Sequence, residues 1–140
     1  MGCLKAAASK RRLAEGTVRI GPVAAIPEVL RGLGVNPAKV LAEAGLDLSL
    51  FADEDNTLSY AARGHLLRLC SARTGCSHFG LLVGQRGGLS SFGLVGFLVR
   101  HSPDVDTALR SLVRYLHLHV RGGVPTLEVR GDSATLGYSI

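Results

Sequence analysis

Apolar residues recur at helical spacing up to about residue 117 and alternate one-in-two from about residue 126. This one change of period limits the chain to folds that pack helices first and pair strands afterwards. The helical signal is clearest over residues 103–117. There Val105, Ala108, Leu109, Leu112, Val113 and Leu116 form an unbroken stripe, with Asp106, Arg110 and Arg114 opposite. Ser102 is the expected N-cap and Pro103 the first helical residue, while Asp104 and Asp106 suit the positive end of the helix dipole. Gly122-Gly123 ends this segment. Residues 126–130 then alternate with Leu127 and Val129 on one face, Gly131-Asp132 supplies a turn, and Ala134, Leu136, Tyr138 and Ile140 alternate again. The expected class is α+β, a helical N-terminal two-thirds followed by the start of an antiparallel β-hairpin or sheet. Ile140 falls inside a predicted strand, and two strands alone are marginal, so a partial domain is expected.

Glycine and proline punctuate the rest. Residues 17–20 are short and β-leaning before Gly21-Pro22 breaks them. Residues 27–33 read as a helix with Pro27 in its first turn and Gly34 just past its end. Asn36 caps a second helix, Pro37 opens it, and it runs to Ala44 before Gly45. Leu46, Leu48 and Leu50 alternate ahead of the acidic run Asp53-Glu54-Asp55-Asn56, which lacks the glycine and terminal Glu of a calcium loop and reads as solvated surface. Ser59 opens a helix over residues 60–74 that Gly75 closes. Its face of Ala62, Leu66, Leu69, Cys70 and Arg73 makes Cys70 a core residue before it is a nucleophile. Ser77 is read as the cap of a helix through Gln85, and Gly87-Gly88 breaks the chain before Ser90 or Ser91 restarts it. Residues 92–99 offer no polar face, which predicts a helix buried on all sides.

A length of 140 residues suits one domain with a core that needs no staples. Apolar residues at 46% against 19% charged exclude intrinsic disorder, and an odd count of three cysteines points to a reducing compartment, not a disulfide framework. The net charge of +5 invites a nucleic-acid reading. However, Lys5, Lys10, Arg11 and Arg12 against Glu15 place +3 of it in residues 1–16, read as a basic flexible arm, and leave +2 for residues 17–140. No specific nucleic-acid binding is expected of that body. The N-terminus lacks the apolar stretch of a signal peptide, and the longest apolar run falls short of the roughly 20 residues of a membrane span, so no membrane partner and a cytoplasmic location are expected.

No catalytic constellation is visible, and the expectation is a protein that is not an enzyme. Gly80, Gly84, Gly87 and Gly88 lack the Lys-Ser/Thr of a phosphate loop, and their small-xxx-small spacing predicts close helix packing and a turn. His117 and His119 flank Leu118, yet no Cys or carboxylate stands at ligand spacing, so neither metal nor cofactor is expected. The candidate ligand-binding residues are His101, Tyr115, His117 and His119. These polar groups cluster beside apolar elements where helices 92–99 and 103–117 meet the hairpin. The competing reading is that they cap helix ends and face water.

Several short matches occur in one order: Gly34-Val35-Asn36-Pro37, Ala44-Gly45-Leu46, Phe79-Gly80-Leu81, the Gly93–Gly96 block, His101-Ser102-Pro103 and the Leu116–His119 run. Together they resemble the N-terminal, arabinose-binding-domain-like effector domain of AraC/XylS-family bacterial transcriptional regulators, over about residues 18–140. The resemblance implies the sensing and dimerisation half of a cytoplasmic regulator, with an unknown small-molecule effector and a homodimer as partners. In that family a C-terminal pair of helix-turn-helix units reads DNA, and no such region is present here. The other reading is a truncated or degenerate structural or protein-interaction module without effector response.

Overall fold

The computed structural model describes residues 16–139. The expected basic arm, apart from Gly16, and Ile140 lie outside them. The class is α+β, with six helices and two small antiparallel sheets. Strand β1 (Thr17–Arg19) pairs with β2 (Thr57–Ser59), Val18 opposite Leu58. On the other side of β1, Val18 bridges to Val120 and the Arg121 amide donates to the Thr17 carbonyl at 3.1 Å, so the chain after residue 119 extends the small sheet. The acidic loop is exposed but tied down. Its Asn56 and Glu54 carbonyls accept from Ile20 and Gly21 at 2.8 and 3.1 Å, and Asp55 pairs with Arg19.

Helices α1 (Ile26–Gly32), α2 (Pro37–Glu43), α3 (Tyr60–Thr74) and α4 (Phe79–Arg86) close the core around β1 and β2. The caps of α2 and α3 form as their sequences predict. Asn36 accepts from Ala38 at 2.9 Å and Ser59 from Ala62 at 3.1 Å, each satisfying an amide the helix leaves orphaned. Gly75 ends α3 at φ +67°, a left-handed conformation that a side chain resists. Ile26 and Leu30 of α1, Leu41 of α2, Leu66 and Cys70 of α3 and Phe79 of α4 are fully buried together. Each large apolar side chain so placed contributes about 1.5–3 kcal/mol. Arg73, on the same helix as Cys70, reaches out to Glu43 of α2, whose carboxyl the guanidinium holds below its ordinary range.

Five local expectations are corrected. Leu46, Leu48 and Leu50 are not strand-like: Leu48–Ala52 is a short 3-10 turn capped by Asp47, whose side chain accepts from Ser49 at 2.8 Å. Helix α4 starts at Phe79, with His78 at its N-cap and no side-chain cap, so Ser77 does not serve. Gly80 and Gly84 pack against nothing: a Cβ at either would meet no atom within 4 Å. The close approach is at Gly96, where a Cβ would overlap the Leu89 carbonyl.

Helix α5 (Gly93–Arg100) is the fourth correction. It is not buried all round: Val95 and Gly96 are covered, while Leu94 and Phe97 are 73% and 57% exposed. The core is already closed by Phe79 and Val83, so α5 lies outside it, against the turn at residues 89–92 and against α6 (Val105–Tyr115). Helix α6 is capped by Asp104, not Ser102. The Asp104 carboxylate accepts from Thr107 at 2.7 Å, whereas the Ser102 hydroxyl donates back to Leu98 at 2.9 Å. Asp104 stands two residues nearer the stripe, so the helix starts at Val105 and not at Pro103. The apolar stripe of α6 is only half-buried, and Leu116, in the 3-10 turn that follows, is its buried end. Strands β3 (Val124–Arg130) and β4 (Ser133–Ser139) pair as the expected hairpin. Gly131 at φ +56° makes the two-residue turn of the kind that matches strand twist. Among the described residues no single helix is long and apolar enough to cross a membrane.

Candidate functional site

The four expected ligand residues do not converge. His101, at the end of α5, is exposed; its Nδ1 donates to the Phe97 carbonyl at 2.9 Å and its ring lies 4.1 Å from the Phe97 ring. His117 is exposed and donates likewise to Arg114 at 2.9 Å. Tyr115 is half-buried beneath the Arg114 guanidinium, 5.5 Å away. These three line neither of the two cavities that flank β1. His119 differs. It is 5% exposed, packs 5.1 Å from the Phe92 ring, and neither ring nitrogen has a hydrogen-bond partner among the described residues. Burial, reinforced by the nearby Arg19 charge, pushes its pKa down and keeps the ring neutral.

The alternation of β1, and the 3-10 turn and bridge that bring residues 116–121 against it, sort side chains onto two sides. On one side Thr17, Arg19, His119 and Arg121, with Asp55 and Thr57, line a polar pocket of about 330 Å³. On the other, Val18, Leu116 and Val120 face a cavity of about 290 Å³. Leu112 of α6 and Phe92 add to that cavity, Pro125 and Leu136 of the hairpin close it, and Pro22 completes the apolar wall. The expected junction of α6 with the hairpin therefore does hold a cavity, although α5 supplies none of its wall.

The polar side chains among those that line the apolar cavity are Arg63 of α3 and Tyr138 of β4. The Tyr138 hydroxyl bonds that of Tyr60 at 2.7 Å, and the Arg63 guanidinium stands 4.9 Å over the Tyr60 ring, so the three form one contiguous cluster. Burial of Tyr60, aided by Tyr138, pushes its pKa up to about 12 and keeps its proton in place. Gly123 makes this contact possible, because a Cβ there would collide with the Tyr138 hydroxyl. Sequence reasoning missed Arg63 and Tyr60, while Phe92 heads the segment 92–99 that it placed at this junction. Leu112 and Tyr138 were legible as stripe and strand positions, but nothing local links residues 60 and 138. Among the described residues no group of three His, Cys, Asp or Glu side chains is placed to hold a metal ion. Burial raises the Cys70 thiol to about 11, which removes it as a nucleophile.

A family model described as the arabinose-binding domain of AraC transcription regulators, N-terminal, matches residues 34–140, which takes in α2 through the hairpin and all but the Val18 and Pro22 walls of the apolar cavity. No curated protein matches the chain.

Proposed function

The chain belongs to the family of N-terminal arabinose-binding domains of AraC transcription regulators, and from that premise we propose that residues 17–140 are the part of a cytoplasmic bacterial regulator that senses a small molecule and self-associates. The family is a regulatory ligand-binding domain and not a class of enzyme. The observation that carries the proposal is the apolar cavity between β1, the end of α6 and the hairpin. An occupant there touches the hairpin, the chain end of α6 and the small sheet at once, so binding couples these elements. Of the four residues expected at a ligand site, His119 is the one whose place supports a role. It stands behind Phe92, between the cavity and the polar pocket. The +2 balance of residues 17–140 supports a module without specific DNA affinity of its own.

Titration calorimetry of the purified chain with octanol, octanoate and L-arabinose tests the sensing role. Saturable binding of at least one, lost in Leu112→Trp because the indole fills the cavity, is the expected result. No saturable heat with any of the three would refute it. The exposed Leu94 and Phe97 on α5 favour the second part of the proposal, docking of a second copy. Light scattering should then give a dimer mass that Phe97→Glu reduces to monomer. A dimer without any ligand binding would favour the other reading, an interaction module without effector response.

A further inference from the structure

The chemistry of the cavity walls selects among small molecules, and the family's sugar is not what they fit. Pro22 and Pro125 present no amide hydrogen, and Val18, Leu112 and Leu116 offer only hydrocarbon. A pentose would bring several hydroxyls into this space, and each hydroxyl buried without a partner weakens binding about tenfold or more. The polar side chains of the lining are Arg63 and Tyr138, the latter bonded to the Tyr60 hydroxyl. Arg63 has no carboxylate partner among the described residues, a state it shares with Arg31, Arg68, Arg100, Arg114 and Arg121, but of these it alone lines the apolar cavity. Its stacking on Tyr60 fixes the guanidinium without neutralising it. Within the tyrosine pair one hydroxyl donates to the other, which leaves one hydrogen for an outside acceptor. The volume of about 290 Å³ is roughly twice that of the ~150 Å³ cavity that holds benzene, room for a short hydrocarbon chain or one ring with a side arm.

We propose that the ligand of this cavity is a small monocarboxylic acid with a hydrocarbon body, its carboxylate held by Arg63 and the Tyr60–Tyr138 hydroxyl pair and its body against Leu112, Leu116 and Phe92. This rests on the sensing role proposed above and narrows it to a ligand class. The guanidinium supplies charge-assisted donors, and the apolar wall takes up the chain that such an acid hides from water.

The experiment compares octanoate, octanol and L-arabinose by calorimetry on the wild-type chain and on Arg63→Met and Tyr138→Phe. Octanoate is expected to bind about tenfold or more tighter than octanol. Arg63→Met reduces octanoate affinity by a larger factor than octanol affinity, and an unchanged circular-dichroism spectrum and urea midpoint show that the variant is folded. Tyr138→Phe lowers octanoate affinity by a smaller factor. Equal binding of octanoate and octanol by the wild type, or equal losses in Arg63→Met, would overturn the carboxylate assignment and leave the sensing cavity standing. Binding of L-arabinose with neither amphiphile would overturn the ligand class and the cavity together. Failure of all three would overturn the sensing role itself.

Discussion

Gly96→Ala and Gly84→Ala are the same chemical change in two helices of the same length, and the structure predicts opposite signs. In both, alanine gains up to about 1 kcal/mol over glycine in helix propensity. At Gly84, on the exposed face of α4, nothing lies within 4 Å of the new methyl, so that gain is kept. At Gly96 the methyl overlaps the Leu89 carbonyl oxygen, comes to 2.6 Å from the Leu89 carbonyl carbon and 3.3 Å from the Phe92 Cβ. The obstacle is backbone, which cannot rotate away as a side chain would. Overpacking of this kind costs about 1–3 kcal/mol, occasionally more, and outweighs the propensity gain. The net expectation is a loss of about 1–2 kcal/mol for Gly96→Ala and a gain of about 0.5–1 kcal/mol for Gly84→Ala. For a domain of this size that is a melting temperature lower by roughly 3–8 °C and higher by roughly 2–4 °C, respectively. Urea denaturation followed by circular dichroism measures both. Because the turn at residues 89–92 must open to admit the methyl, Phe92 moves with it, and the cavity it lines should bind octanoate more weakly in Gly96→Ala. Equal or higher stability of Gly96→Ala would refute the packing of α5 on that turn.

Leu112→Asp is expected to cost about 2 kcal/mol or more, because it sets a carboxylate against the apolar cavity wall. Arg110→Asp, on the exposed side of the same helix, loses only the surface pair with Asp106 and should leave the urea midpoint nearly unchanged; equal losses would refute the orientation of α6. His119 is neutral in the fold while the unfolded chain takes up its proton near pH 6.5, so stability falls as pH drops below that value. His119→Phe should flatten the slope of urea midpoint against pH between about 6.5 and 5, and parallel slopes for the two chains would contradict its burial. At pH 8 Cys70, with its thiol raised to about 11, should escape alkylation by iodoacetamide until the chain is unfolded, whereas half-buried Cys76 reacts in the native state; peptide mapping by mass spectrometry reads both.

What the sequence made legible is what short-range chemistry determines. Asn36 with Pro37, Ser59 with Gly75, and Gly131-Asp132 each act within a few residues, and their helices and hairpin form where those signals stand. The burial of α5 was not legible in this way. A segment apolar on every side has no period to show which side a partner covers, and that depends on Phe79 and Val83 having closed the core first. The pairing of β1 with β2 joins three-residue strands some 40 residues apart, too short to carry an alternation. The candidate site was legible only as a neighbourhood. Its expected histidines are placed by helix ends, and His101 and His117 spend their ring hydrogens on their own helix carbonyls. Arg63, Tyr60 and Tyr138 come together through the tertiary fold, across a separation of 78 residues for the tyrosine pair.

The sensing role depends on a small ligand occupying the cavity between β1, the end of α6 and the hairpin. Methyl-resolved NMR of the Leu- and Val-labelled chain, titrated with octanoate, addresses it directly. Shift changes and ligand contacts are expected at the methyls of Val18, Leu112, Leu116, Val120 and Leu136, which line that space. Changes confined to Leu94 and Leu98 on the exposed face of α5, with those cavity methyls unmoved, would contradict it.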